Sequence, residues 1–196
     1  MGLFSKGWQD SNEGSALAWV RRQSGDKRAL AQAAMKAPSR NVKVAAVEQL
    51  ESQELLKLVA ASEEHTDSDV KSMAMRKITD QAFLAEYASK GWAAAIESLT
   101  DEGVLVKILT DPFFFKLRGG NETVIYHMNG ERGRKIQRQD RERKEKLANE
   151  ALKRLSKLKG GDAEALRAVA EKSGYKCARR YCETGRIETY INFIPD

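Results

Sequence analysis

Two adjacent apolar residues, followed four positions later by two more, recur through the first half of the chain. Leu55, Leu56, Val59 and Ala60 are matched at a shift of 28 by Phe83, Leu84, Tyr87 and Ala88. A further shift of 21 reaches Val104, Leu105, Ile108 and Leu109, and a backward shift of 26 reaches Ala29, Leu30, Ala33 and Ala34. Positions i, i+1, i+4 and i+5 fall on one helical stripe, wide enough to pack two neighbours. A second pattern travels with the first: Val42, Ala46, Val47 and Leu50 map at the same shift of 28 onto Val70, Ala74, Met75 and Ile78. Each unit therefore reads as a helix pair, an A helix with the doublets and a B helix with the wider spacing. Ala46, Ala74 and Ala95 sit in mid-B positions, where close helix approach needs a small residue. Ser52, Thr79 or Asp80, and Thr100 or Asp101 precede the A helices as N-cap residues, and Asp69 is placed to cap the helix over 70–78. One pair cannot bury both of its faces, so the pairs must stack.

This pattern, carried by residues 41–50, 53–62, 69–78, 79–88 and 91–109, resembles the short HEAT-like repeats of bacterial repeat proteins. It covers residues 26–109, and Ala165-Leu166 and Val169-Ala170 echo it near the C-terminus. The resemblance implies a curved right-handed α-solenoid whose B helices line a concave face, a fold used mostly by scaffolds and binding modules. Two enzyme families share such repeats, the alkylpurine DNA glycosylases and the phycobilin lyases. The glycosylases carry tryptophans, an aspartate and arginines on the concave face. Here Trp8 and Trp19 precede the repeats, only Trp92 lies within one, and Asp69 and Asp80 are available without a motif that carries a site across.

After Leu109 the pattern stops. Thr110-Asp111-Pro112 breaks the helix, and two β-prone runs, 113–118 and 123–128, flank Gly119-Gly120-Asn121. They predict a small β-hairpin over 111–130. It would pack on the edge of the repeats or project aromatic side chains towards a partner. Residues 131–158 then hold eleven Lys or Arg against five Asp or Glu, so the whole formal net charge of +6 falls there and the rest of the chain is neutral. The segment has neither Gly nor Pro after Gly133, and Leu147, Leu152 and Leu155 form a stripe only at its end. It reads as one long helix, solvated in its first half and docked in its second. Acid–base pairs at i, i+4, such as Asp140 with Lys144 and Glu142 with Lys146, support it. Gly160-Gly161 breaks it, and residues 159–196 return to a repeat-like helix pair with an apolar tail of Tyr190, Ile191, Phe193 and Ile194.

Apolar residues make up 41% of the 196 positions, enough for a real core. No apolar run approaches the ~18 residues of a membrane span. The N-terminus has no signal-peptide stretch and has Lys6 where myristoylation wants Ser or Thr, so a cytoplasmic chain without a membrane partner is expected. Cys177 and Cys182, five apart, match neither a CxxC redox pair nor a common zinc spacing and read as structural thiols. His65 lies in an acidic loop that lacks the glycine and terminal glutamate of an EF-hand, and His127 lies in the hairpin. GxSxG, P-loop, GxGxxG and HExxH signatures are absent, so no catalytic residue, metal ligand or cofactor is nominated.

The expected architecture is thus all-α: an N-terminal cap over 1–25 with Trp19 packed on the first pair, HEAT-like repeats over 26–110, the hairpin, the long basic helix and the C-terminal pair. The expected function is that of a non-catalytic protein-binding scaffold, with Lys43, Lys71, Arg76 and Lys77 on exposed B-helix positions. The alternative is a nucleic-acid-binding module, in which Arg132, Arg134, Lys135, Arg138 and Arg141 contact phosphates. No aromatic residue lies within 131–158, so base stacking is not part of that alternative. A HEAT-like glycosylase or lyase would be the enzymatic reading.

Overall fold

The apolar stripes become helices where the repeat predicts them. A computed structural model describes residues 7–23, 25–62, 67–115 and 131–187, with 131 and 132 described by backbone alone. Eleven α-helices and one 3-10 turn, Gly7–Gln9, form among these residues, and no strand does. The helices are α1 (Glu13–Arg22), α2 (Lys27–Lys36), α3 (Arg40–Gln49), α4 (Gln53–Ala61), α5 (Ser68–Lys77), α6 (Gln81–Ser89), α7 (Ala93–Ser98) and α8 (Glu102–Thr110). After these come α9 (Glu131–Leu158), α10 (Ala163–Ala170) and α11 (Lys176–Thr184). No described helix is long and apolar enough to cross a membrane. The chain divides into two units, Met1–Asp80 and Gln81–Asp196.

In the first unit, α2 packs on α3 and on α4, while α3 packs on α1 and on α5. The helices therefore fall into two rows, with the doublet helices α2 and α4 in one and α1, α3 and α5 in the other. Leu30, Ala33 and Ala34 of α2 and Leu56, Val59 and Ala60 of α4 are buried, as are Val42, Ala46 and Val47 of α3 and Val70, Ala74 and Met75 of α5. Ala46 and Ala74 are wholly buried, which is why larger residues do not serve there. The N-terminal turn buries Trp8, and Gly7 lies against the ring of Trp19, close enough that a side chain at position 7 would collide with it.

Polar side chains lock this packing in register. Gln53, at the start of α4, accepts hydrogen bonds from Thr79 N (2.9 Å) and Thr79 Oγ1 (3.2 Å) and donates to Lys77 O (3.0 Å). Lys57, one turn on, pairs with Asp80. The N-caps follow the sequence only in part. Asn12, Asp26 and Asp101 accept from Ser15 N, Ala29 N and Val104 N. Ser52 occupies its cap position without a side-chain bond. Asp69 is not the cap of α5: that helix starts two residues earlier, Asp67 holds the cap position, and Asp69 pairs with Arg40 of α3.

The second unit is organised on α9. Its C-terminal half buries Leu147, Ala148, Ala151, Leu152 and Leu155, against which α7, α8, α10 and α11 pack. Arg154 Nε donates to Leu99 O at 2.6 Å, satisfying the end of α7, and Lys159 pairs with Glu102 at the start of α8. Gln81 stands at the repeat position of Gln53 and plays a similar part: its side-chain oxygen accepts from Thr100 N (2.6 Å) and Asp101 N (3.1 Å). Along the exposed half of α9, Asp140 joins Lys144 as expected and also Arg143, whereas Glu142 is taken by Arg138. Left-handed glycines end several of these helices. Gly91 (φ 86°) and Gly160 (φ 61°) each close a Schellman turn, with Trp92 N to Tyr87 O at 3.1 Å and Gly161 N to Ser156 O at 3.0 Å.

The hairpin expected over 111–130 is not a strand where it can be followed. Residues 112–115 form a turn: Phe113 N donates to Asp111 Oδ1 (2.9 Å) and Phe114 N to Asp111 O (3.1 Å). Asp-Pro is a strong turn starter, and it overrides the β preference of the three phenylalanines. Phe115 is then fully buried, edge-on to Phe114 and Tyr175, and Phe113 is 80% exposed. Residues 116–130, with His127, lie outside the described residues, as do His65 and the apolar tail 190–194.

Candidate functional site

The residues singled out on the B helices have unequal surroundings. Lys43 is buried and donates to Asp67 Oδ2 at 3.2 Å. Lys77 donates to the carbonyls of Val47 (3.0 Å) and Glu48 (2.6 Å), the open end of α3. Both cations thus hold α3 and α5 together. Lys71 is half-buried and Arg76 exposed. The two aspartates open to a glycosylase-like role are both engaged. Asp69 pairs with Arg40, whose hydrogen bond holds its carboxyl below the usual range, and Asp80 pairs with Lys57. Trp92 sits at the N-cap of α7, half-buried.

On α9 the picture differs. Arg134, Lys135, Arg138 and Arg141 are all exposed, and 134, 138 and 141 share one face by their spacing. The side chain of Arg132 lies outside the described residues.

Next to that face the second unit holds a cavity of about 620 Å³. The middle of α9 lines one side through Gln137, Asp140, Arg141 and Lys144, spaced i, i+3, i+4 and i+7. The end of α8 and Pro112 line a second side, and Gly174, Tyr175, Lys176 and Arg179 a third. Its two acids are committed to protein groups. Asp140 lies 3.1 Å from both Arg143 and Lys144. Glu145 is 5% exposed and accepts from Lys176 N (2.9 Å) and Cys177 N (3.3 Å). This carboxylate, 31 positions back in the chain, caps α11, whose own cap residue Tyr175 offers no side-chain bond. A negative group at a helix N-terminus also meets the positive end of the helix dipole. Arg141 and Arg179 are exposed and make no ion pair or side-chain hydrogen bond among the described residues.

Tyr175 and Cys177 are shaped by this setting. Burial, with the Glu145 charge second, pushes each up to about 12. Both stay neutral at pH 7, so Cys177 is no nucleophile. Cys177 and Cys182 are free thiols, the first buried and the second partly exposed. At mildly alkaline pH, iodoacetamide is expected to label Cys182 in the folded protein and Cys177 only after denaturant is added, as read by peptide mass mapping. Labelling of both at one rate would contradict the burial. The shift also has a sign. Unfolded, the Cys177 thiol ionises near its ordinary 9.0, whereas folded it holds its proton to about 12. Its contribution to stability is complete below pH 9 and is lost as pH rises towards 12. The melting temperature should therefore fall above pH 9.

The sequence pointed to Arg141 but not to Lys144, Glu145, Tyr175, Lys176 or Arg179. Glu145 reads as one more charge of a solvated helix. The one clue was a helix starting after Tyr175 with no Ser, Thr, Asp or Asn to cap it. Among the described residues no group of three or more His, Cys, Asp and Glu could hold a metal ion. Comparison with family models, curated proteins and solved structures finds no match to this chain.

Proposed function

We propose that the chain is a cytoplasmic, non-catalytic binding module that holds a protein partner on HEAT-like helix pairs arranged as an α-solenoid. The observation that carries this reading is the recurring glutamine staple. Gln53 and Gln81 occupy the same repeat position, and each accepts a hydrogen bond from the backbone of the loop that follows the next B helix, at Thr79 and at Thr100. A bond that recurs with the repeat is what a stack of equivalent pairs needs, because each pair contacts only its neighbours. Packed helix pairs of this kind offer a pre-formed helix surface, which suits a partner rather than an enclosed reaction. Of the four B-helix cations, Lys43 is buried and Lys77 closes the end of α3, and the reading places the partner contact at the half-buried Lys71 and the exposed Arg76.

A second reading is favoured by the exposed row Arg134, Lys135, Arg138 and Arg141. Four cations on one helix end would hold a nucleic acid through its phosphates, with affinity falling steeply as salt rises. The readings separate in one experiment, capture from lysate with and without nuclease, using the wild type and two charge-reversed variants. For a protein partner, a discrete protein survives nuclease and is lost from Lys71→Glu/Arg76→Glu. For nucleic acid, retention ends with nuclease and is abolished by reversing the α9 row. Capture unchanged by either variant would overturn both assignments.

A further inference from the structure

The cavity beside α9 has features that neither reading uses. Its volume, about 620 Å³, is of the size that encloses a small organic molecule, and such pockets are commonly apolar with a few polar groups that orient the ligand. Leu109, Pro112 and Tyr175 supply the apolar lining here. Arg141 from α9 and Arg179 from α11 supply two guanidinium groups from separate helices.

The electrostatics of the cavity select an anion. Its carboxylates are already engaged, Asp140 by Arg143 and Lys144 and Glu145 by the N-terminus of α11. Lys176 lies on the same wall, so the balance over the cavity is positive. A single carboxylate is satisfied by one arginine fork. Two forks from different elements match a phosphate monoester, which is doubly charged and has three acceptor oxygens. The apolar lining adds a requirement that inorganic phosphate does not meet. We propose that this cavity is a binding site for a small organic phosphate, with Arg141 and Arg179 holding the phosphate and the wall of Leu109, Pro112 and Tyr175 holding a flat organic body.

The proposal does not rest on the protein-binding reading, and Arg179 separates it from the nucleic-acid reading, which uses α9 alone. The test is calorimetric titration of the full chain with adenosine monophosphate, adenosine and inorganic phosphate. The nucleotide is expected to bind, and each half-ligand to bind at least about tenfold more weakly. Arg141→Ala and Arg179→Ala should each weaken nucleotide binding by about tenfold, the loss of one charge-assisted contact. Both arginines are exposed, so unchanged thermal melts are expected and are measured alongside. A dinucleotide with a 5′-phosphate, set against its 5′-hydroxyl form, distinguishes the source of the phosphate. Displacement of the nucleotide by the first alone supports the site with a strand end as ligand. Displacement by neither supports it with a free nucleotide as ligand. Absence of nucleotide binding at millimolar concentration, wild-type affinity in the double variant, or equal displacement by both dinucleotides would overturn the proposal.

Discussion

Glu145→Ala is expected to destabilise the protein by about 3 kcal/mol, because it removes the cap of a helix from inside the fold. The carboxylate is 5% exposed and accepts from the backbone of Lys176 and Cys177. Alanine leaves both N–H groups without this acceptor, and Cys177, at 5% exposure, is poorly placed to receive water instead. It also removes a negative charge from the positive end of the α11 dipole. Glu145→Gln keeps the shape and one acceptor oxygen, so a smaller loss of about 1 kcal/mol is expected. Urea unfolding of the three proteins, compared at constant m-value, checks the order. If alanine fell within about 0.5 kcal/mol of the wild type, α11 would have a cap other than Glu145.

The second large effect lies seven residues further along the same helix. Leu152 is wholly buried within the layer formed by α7, α8, α10 and α11. Leu152→Ala is expected to cost about 3–4 kcal/mol, the lost transfer energy plus the cavity left in a close-packed interior. Arg138→Ala, in the same helix, removes an exposed ion pair with Glu142 and should change stability by less than about 0.5 kcal/mol. One 28-residue helix thus holds two regimes, and the pair of substitutions measures the contrast. Similar losses at both positions would mean that the first half of α9 is also part of the core.

Helix positions were legible in the sequence because their signal is local and repeated. The doublets over 29–34, 55–60, 83–88 and 104–109 lie within α2, α4, α6 and α8, and the wider pattern runs through α3 and α5 to end on their C-cap residues, Leu50 and Ile78. Asp101 was legible as a cap for the same reason: its acceptor reaches only three residues ahead, to Val104 N. The expected hairpin fails over Phe113 to Phe115, although Asp111-Pro112 is itself visible in the sequence as a helix break. The β preference of three phenylalanines yields to the turn geometry that Asp-Pro imposes.

The candidate site was far less legible. Lys43 and Lys71 are equivalent in the repeat, yet Lys43 is buried on Asp67 and Lys71 is half-buried. Nothing in their spacing tells them apart. Lys77 reads as a surface charge and turns out to close α3, and Glu145 reads as a surface charge and caps α11.

The helical class of the described residues, the places of the repeated helices and the concentration of positive charge in 131–158 can all be read from the residue order. Periodicity along a helix and charge along a segment are one-dimensional properties. Which charges are occupied, that Gln53 and Gln81 bind backbone 26 and 19 residues ahead, and that Arg141 and Arg179 line one cavity emerge only when the helices are packed. Those outcomes depend on the separation and orientation of packed helices, which set the partners of a polar side chain once its helix has docked.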